Sequence, residues 1–266
     1  MQDRQIRVIG IGTGDPEHLT LQAVRALADV DAVFVLDKRA ETADLVAIRR
    51  RICAAHIAKP HRVITVEDPP RERRPADYGS TVAAWHAARA ERLEAAFAEH
   101  LGPGEVGAIL AWGDPALYDS VLRILDRIAA RGQVAFTRTV IPGLSSVQVL
   151  AARHGVPLNG IGGSVLITTG RRLAAGWPQG VEDDVDSVVV MLDGDPAFGP
   201  LDPDLTIFWG AYLGSPDEIL IAGRLGDVDA EIRRVRAEAR ERHGWIMDIY
   251  LLRRDRAATD KADGSR

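Results

Sequence analysis

Apolar and polar residues along the first half of the chain follow two alternating patterns. Short, largely β-branched apolar runs are typical of buried strands, and stretches with apolar residues at helical spacing are typical of helices. The predicted strands cover residues 6–11, 32–36, 62–66, 106–111 and 134–141, and the predicted helices cover 21–28, 43–57, 80–100, 120–131 and a stretch that begins at 146. Strands that alternate with helices in this way predict a parallel sheet with right-handed crossovers.

The second half of the chain has more predicted strands than helices, which indicates a mixed sheet. The strands are predicted at residues 164–168, 187–192, 206–209, 218–223 and 246–252, and one helix is predicted at 227–242. A glycine-rich stretch without periodicity, residues 154–163, separates the two halves. We therefore predict an α/β domain over residues 1–155, a mixed-sheet α/β domain over 156–252 and a disordered polar tail over 253–266.

Composition limits the classes of protein to which the chain can belong. With 266 residues, 46% of them hydrophobic and 27% charged, it is long enough for two domains with sizeable cores. No apolar run approaches the roughly 20 residues of a membrane span, and a net charge of −5 argues against broad binding to nucleic acid. The first predicted strand follows Met1 almost directly, without room for a signal peptide, so we expect a cytoplasmic protein.

Cysteine usage narrows the chemistry further. Cys53 is the only cysteine, which excludes an internal disulfide and a cysteine zinc cluster. Its apolar neighbours Ile52 and Ala54 indicate a buried thiol rather than a nucleophile. We predict no metal site.

A glycine-rich motif, G-I-G-T-G-D-P at residues 10–16, follows the first predicted strand. Glycines let the backbone turn sharply and lie close to a ligand, and the crossing from strand to helix is where α/β proteins bind ligands. Asp37, at the end of the second strand, lies about where a dinucleotide-binding protein has its ribose-binding carboxylate. A nicotinamide-dependent oxidoreductase is therefore one alternative, although the spacing differs from G-x-G-x-x-G.

Two further motifs follow later strands. Gly113-Asp114-Pro115 follows the fourth strand, and P-G-L-S-S at residues 142–146 follows the fifth and precedes G-V-P-L at 155–158. In this order and spacing the three motifs resemble those of the tetrapyrrole methylase family, whose members use S-adenosylmethionine (class III methyltransferases). The resemblance extends to about Leu252. It implies two αβα domains with the cofactor in the cleft between them, and a homodimer.

The resemblance also implies which residues bind the cofactor. They are Trp112, Gly113, Asp114, Leu117, Ser145, Ser146, Leu192, Tyr212 and Leu213. Backbone groups at strand ends suit the methionine and adenosine parts of this cofactor, and the Asp114 carboxylate can accept a hydrogen bond or face the cationic part. Because Asp-Pro is also common in turns, a turn residue before Pro115 is the alternative for Asp114.

The implied substrate is a flat tetrapyrrole that carries many carboxylates. Gly12 and Gly14 are implied to border its trough, and Tyr118 is expected to line the methyl-transfer cavity. The candidate carboxylate clamps are Lys38, Arg39, Arg71, Arg73 and Arg74. For residues 71–74 the alternative is a solvated charge run that Glu72 partly offsets.

Four stretches, at residues 36–40, 68–74, 77–78 and 85–86, resemble family members that act on C-1 of a precorrin in oxygen-dependent cobalamin biosynthesis. The implied reaction removes the acetyl group from C-1 of precorrin-5 and methylates that carbon, which gives precorrin-6A, acetate and S-adenosylhomocysteine. Two alternatives stay open, a methyltransferase for a different ring carbon and a tetrapyrrole carrier without catalysis.

Hydrolysis of the acetyl group needs a base and a partner for the developing oxyanion. The candidate bases are Asp37 and Asp15, because both follow strands of the first domain, and Lys38 or Tyr78 is the candidate partner. His86 and His154 lie in helical patterns, so we interpret them as packing or surface residues.

Overall fold

The computed structural model describes residues 3–37, 43–70, 78–177 and 185–254. The chain divides into two compact units, Met1–Ser145 and Ser146–Arg266. Within the described part of the chain, no helix combines the length and the apolar character that crossing a membrane requires. The domain boundary predicted near residue 155 stays a prediction.

The first unit is built on a parallel sheet of five strands in the order β3-β2-β4-β1-β5. The strands are β1 (Arg4–Gly10), β2 (Ala32–Asp37), β3 (Arg62–Glu67), β4 (Val106–Ala111) and β5 (Phe136–Ile141). The helices are α1 (Leu21–Leu27), α2 (Ala43–His56), α3 (Tyr78–His100) and α4 (Val121–Arg131), with a short 3-10 turn at Pro16–His18.

Successive side chains of β1 belong alternately to the two hydrophobic cores of this unit. Ile6 and Val8 belong to a buried cluster with residues of α3 and α4, and Ile9 belongs to a second cluster with residues of α1 and α2. Successive side chains of a strand point to opposite faces, so helices cover both faces of the sheet. The unit therefore has three layers, as the family resemblance implies.

The second unit contains a mixed sheet in the order β6-β7-β10-β8-β9, in which β6 and β7 are parallel and the other pairs are antiparallel. The strands are β6 (Ser164–Thr169), β7 (Val185–Met191), β8 (Thr206–Ala211), β9 (Ile219–Arg224) and β10 (Asp248–Arg253). The helices are α5 (Ser146–His154), α6 (Gly170–Leu173) and α7 (Leu225–His243). Trp209 packs in the core that includes α7, and a side chain on the neighbouring Gly210 would meet Leu150 of α5. Helices therefore cover both faces here too.

The structure contains every strand and long helix that the sequence pattern predicts, with shifts at the ends. Thr20 caps α1, since its Oγ1 accepts a hydrogen bond of 3.0 Å from Ala23 N. Strand β5 begins at Phe136, two residues later than predicted. Strand β10 begins at Asp248 rather than at 246, because α7 ends at a left-handed Gly244 and the chain must first turn. The 3-10 turn and the short α6 were not predicted.

Glu105 forms hydrogen bonds at the amino end of the first sheet, and these bonds predict that the stability of the fold depends on pH. Its Oε2 accepts hydrogen bonds of 2.7 Å from Arg62 Nη2 and from Gly102 N. These bonds, first that from Arg62, hold the pKa of the Glu105 carboxyl below its ordinary value. Because the folded-state pKa is the lower one, the carboxylate stabilises the fold above the unfolded-state pKa, and this contribution is lost as the pH falls through the folded-state pKa.

We therefore expect Glu105→Gln to lower the free energy of unfolding by about 1 kcal/mol or less at pH 7, with the difference from the unchanged protein shrinking below a pH of about 4. Urea denaturation across this pH range measures it. Glu99→Gln is the control, since that carboxylate is largely exposed and lies beside His100. A loss that did not change with pH would contradict the assignment.

Candidate functional site

The carboxyl ends of β1 and β4 lie side by side in the middle of the first sheet, with Gly10 paired to Ala111. Beyond the strands, Gly113 N donates to Gly12 O at 2.7 Å and Gly12 N donates to Gly113 O at 3.3 Å. The chain then leaves β1 towards α1 on one face and β4 towards α4 on the other. Neighbouring strands whose connections diverge in this way form the ligand-binding crevice of open parallel sheets.

Three glycines at this crossing bring the loops after β1, β4 and β5 into backbone contact. A Cβ atom on Gly10 would lie 2.5 Å from Gly143 N, and one on Gly143 would lie 2.2 Å from Gly113 O. Neither position has room for a side chain. The three loops therefore contact one another through their main chains. Glycine is required at positions 10 and 143 because a side chain on either would collide with the backbone of another loop.

Asp114 ties two of these loops together. Its Oδ1 accepts a hydrogen bond of 2.8 Å from Ala116 N, which is the turn role considered for this residue, and its Oδ2 accepts one of 2.9 Å from Gly143 N. Both carboxylate oxygens thus bind backbone amides of the protein. The structure gives Asp114 a positioning role, and its direct contact with a cofactor stays a prediction.

A cation and an aromatic ring lie beside the glycine loop. A Cβ on Gly14 would be 3.1 Å from Trp112 Cη2, and the Arg49 guanidinium carbon is 5.7 Å from the centre of a Trp112 ring. Arg49 Nε donates to Leu110 O at 3.2 Å, and burial lowers the pKa of Arg49 from its ordinary value. Arg49 was not among the predicted site residues, because nothing in the helical pattern of α2 shows that it reaches the end of β4.

Among the described residues, three that are not glycine have a positive φ: Tyr118 at 54°, Leu192 at 54° and Tyr212 at 51°. This conformation is unfavourable for residues with a Cβ, and it persists only where the surrounding structure imposes it. Strain of this kind is concentrated at functional sites. All three residues are among those predicted for the site.

The loop after β7 in the second unit is held by buried polar groups. Asp193, next to Leu192, accepts hydrogen bonds at Oδ2 from Tyr250 OH at 2.6 Å and from Ala197 N at 2.9 Å. Arg236 Nη2 donates to Asp193 O at 2.7 Å. Burial raises the pKa of the Asp193 carboxyl. These contacts fix the backbone on the carboxyl side of Leu192.

Tyr212 and Leu213 follow β8, and both are buried. Tyr212 OH donates to Trp245 O at 2.5 Å, and Tyr212 N donates to Met247 O at 2.9 Å. Burial raises the pKa of Tyr212 to about 12. Because the phenol faces the core, any contact of Tyr212 with a ligand would be made by its backbone.

Comparison with known proteins places this arrangement in a family. The family described as Tetrapyrrole (Corrin/Porphyrin) Methylases matches residues 5–229. The chain belongs to the tetrapyrrole methylase family. It is 47% identical over 253 residues to a precorrin-6A synthase [deacetylating] from Sinorhizobium sp., a match that covers 94% of this chain and 95% of that protein. It is 31% identical over 161 residues to a precorrin-2 C(20)-methyltransferase from Sinorhizobium sp., but this match covers 57% of this chain and 59% of that protein.

Solved structures that are similar to this chain include proteins with related descriptions. The structure of a putative cobalamin synthesis related protein from Corynebacterium diphtheriae matches with a TM-score of 0.79 and 38% identity, over 94% of this chain and 98% of that one. A uroporphyrin-III C-methyltransferase from Thermus thermophilus, complexed with S-adenosylhomocysteine, matches with a TM-score of 0.54 and 20% identity, over 93% of this chain and 91% of that one. The second match concerns the fold alone.

Several residues predicted to serve this tetrapyrrole methylase lie outside the described part of the chain. They are Lys38, Arg39, Arg71, Arg73 and Arg74. Asp37 ends β2 and Tyr78 begins α3, but their side chains are not described. Their proposed roles, like the interdomain position of the cofactor, stay predictions.

Two features of this tetrapyrrole methylase were not predicted from the sequence. Gly194-Asp195-Pro196 is a further Gly-Asp-Pro that follows a buried strand, here β7, and the repeat is readable in the sequence. The other feature is His18, which lies on the glycine loop rather than in a long helix. His154, in contrast, ends α5 and its Nε2 lies 3.0 Å from Trp209 O, which fits the predicted packing role.

Proposed function

We propose that this tetrapyrrole methylase removes the acetyl group from C-1 of precorrin-5 and methylates that carbon with S-adenosylmethionine, which gives precorrin-6A, acetate and S-adenosylhomocysteine in cobalamin biosynthesis. The observation that carries the proposal is the near full-length similarity to a precorrin-6A synthase [deacetylating]. As the resemblance implies, we also propose that the protein acts as a homodimer, and that it works in the cytoplasm.

The residues at the strand ends fit a ligand such as S-adenosylmethionine, which joins an uncharged adenosine part with apolar and hydrogen-bonding surface to a charged methionine part. Leu144 is 40% exposed and Leu192 is 65% exposed, although both are apolar and border fixed backbone. Sites for small molecules combine apolar surface with a few fixed polar groups in this way. We propose that Trp112, Gly113, Leu117, Ser145, Ser146, Leu192, Tyr212 and Leu213 contact the cofactor, and that Asp114 holds the loop that does so.

The cofactor supplies an activated methyl group when it is bound. The protein therefore needs to align C-1 with that group and to exclude bulk water, rather than to activate the donor. The close backbone packing of Gly10, Gly113 and Gly143 fixes the loops that would provide this alignment. Removal of the acetyl group makes a different demand, because it requires a group that accepts a proton from water.

Titration calorimetry with S-adenosylhomocysteine and, separately, with NADPH tests the cofactor. We expect micromolar binding of S-adenosylhomocysteine, and we expect Asp114→Ala to weaken it at least about tenfold, since the loop after β4 loses its turn hydrogen bond and the hydrogen bond that joins it to the loop after β5. Asp126→Ala is the matched control, because this exposed carboxylate pairs with Arg138 on the surface of the same unit.

Binding of NADPH alone would contradict the methyltransferase assignment and favour a nicotinamide enzyme. Incubation with precorrin-5 and S-adenosylmethionine separates the remaining alternatives. The proposed enzyme releases one acetate for each methyl group transferred, a methyltransferase for another ring carbon transfers methyl without acetate, and a carrier does neither.

A further inference from the structure

Thr13, Asp15 and His18 form a polar group on the glycine loop of the first unit. Thr13 Oγ1 and His18 Nδ1 share a hydrogen bond of 3.0 Å, and His18 Nε2 lies 3.9 Å from Asp15 Oδ2. Thr13 is buried, whereas the His18 side chain is 14% exposed. One nitrogen of the imidazole is thus fixed by the loop, and the ring retains an edge that solvent reaches.

The backbone places this group at the crossing of β1 and β4. A Cβ on Gly12 would lie 2.5 Å from His18 Cβ, so the histidine packs directly on the Gly12 backbone. Gly12 in turn pairs with Gly113, at the carboxyl end of β4. His18 therefore lies against Gly12, beside the crevice where the connections after β1 and β4 diverge. Open parallel sheets bind their ligands in such a crevice.

The partners of His18 suit a group that takes up and releases a proton. A threonine hydroxyl can both donate and accept, so Thr13 can pair with His18 Nδ1 in either tautomer of the ring. Asp15 lies on the side of the other nitrogen, with Oδ2 3.9 Å from Nε2, so its charge faces the position at which that nitrogen would accept a proton. Asp15 itself is engaged as a cap, since its Oδ1 accepts a hydrogen bond of 2.9 Å from Glu17 N.

We propose that His18 is the general base for removal of the acetyl group, with Thr13 and Asp15 as its positioning residues; this inference rests on the proposed function. His18 Nε2 accepts a proton from water while the water oxygen bonds to the acetyl carbonyl carbon. The bond between that carbon and C-1 then breaks, its electron pair stays on C-1, and the acetyl group leaves as acetic acid. The proton on His18 passes to solvent, and the electron pair on C-1 forms the bond to the transferred methyl group.

His18→Gln tests the proposal because glutamine can keep a hydrogen bond to Thr13 but cannot accept the proton. We expect acetate release from precorrin-5 to fall by about 100-fold or more, while the Kd for S-adenosylhomocysteine changes less than about twofold. His18→Ala should lose acetate release to a similar extent and recover at least about tenfold of it when imidazole is added. His61→Gln is the control, since His61 Nδ1 is likewise hydrogen-bonded, here to Lys59 O, but His61 precedes β3 and lies at the amino end of the sheet.

A purely structural role for His18 predicts a different set of results. Distortion of the loop would weaken S-adenosylhomocysteine binding together with acetate release, and imidazole would restore neither, which would overturn the inference while leaving the proposed function intact. Thr13→Val, which removes only the hydroxyl partner, gives a second test if the His18 variants do not fold, and unchanged acetate release there would also count against the proposal. If the unchanged enzyme binds S-adenosylhomocysteine but releases no acetate, the proposed function and this inference fall together.

Discussion

Gly143→Ala is expected to destabilise the first unit by about 3 kcal/mol and to abolish measurable binding of S-adenosylhomocysteine, because the added methyl group would lie 2.2 Å from Gly113 O. The obstacle is backbone and not a movable side chain, so relief requires the loops after β4 and β5 to separate. Separation would also break the hydrogen bond from Gly143 N to Asp114 Oδ2. Chemical denaturation and calorimetry measure the two effects.

Gly102→Ala is the control for this variant. Its Cβ would lie 3.4 Å from Glu105 Oε2, which is an ordinary van der Waals contact, so we expect a loss of less than about 1 kcal/mol. Equal stability of the two variants would show that the glycine loops are not packed as closely as described. A stable Gly143→Ala protein with normal affinity for S-adenosylhomocysteine would remove this crossing from the proposed cofactor site.

The steric requirement at Gly143 shows how far the sequence could predict this site. The motif at residues 142–146 is evident in the sequence, and its position after a predicted strand predicts that it lies at the carboxyl edge of the sheet. The pattern could not show that Gly143 packs on Gly10, since that contact joins loops far apart in sequence and depends on the order β4-β1-β5. Periodicity predicts elements, whereas strand order is fixed by packing between them.

The histidines illustrate the same limit. His86 and His154 could be assigned to helices because long apolar repeats surround them, and the structure places them in α3 and α5. His18 lies in a short 3-10 turn, where no periodic signal exists. Its importance follows from two local contacts, with Thr13 and with the backbone of Gly12, that depend on the fold of the glycine loop.

A buried ion pair links α3 to the segment that follows β3 and to the residue that precedes α4, and it was not predicted either. The Arg89 guanidinium donates to both oxygens of Asp68, at 2.5 and 2.6 Å, and to Ser120 Oγ at 2.9 Å. It also lies 3.8 Å from the centre of a ring of Trp85, and Trp85 Nε1 donates to Pro69 O at 3.0 Å. Asp68 and Trp85 belong to stretches that resemble the precorrin C-1 enzymes. Their common partner, Arg89, lies in α3, and its contacts with the two residues are not evident from the sequence.

Arg89→Met is expected to lower the free energy of unfolding by about 3–5 kcal/mol, because it leaves the Asp68 carboxylate buried without its cation. Both side chains of the pair are only 5% exposed, so water cannot readily replace the lost partner. Urea denaturation measures the loss. Arg138→Met is the matched control, because the Arg138–Asp126 pair is exposed and its removal should cost about 1 kcal/mol or less.

The double variant Asp68→Leu/Arg89→Met separates the cost of an unpaired charge from the value of the pair itself. With both charges removed, no carboxylate is left buried alone, and we expect the double variant to recover at least about 2 kcal/mol of the stability that Arg89→Met loses. A double variant as unstable as Arg89→Met would instead show that the contacts of Arg89 with Ser120 and Trp85 provide most of its contribution. In that case the guanidinium stabilises the unit mainly by joining α3 to the start of α4. Neutralising the buried charge of Asp68 would then be the smaller part of its contribution.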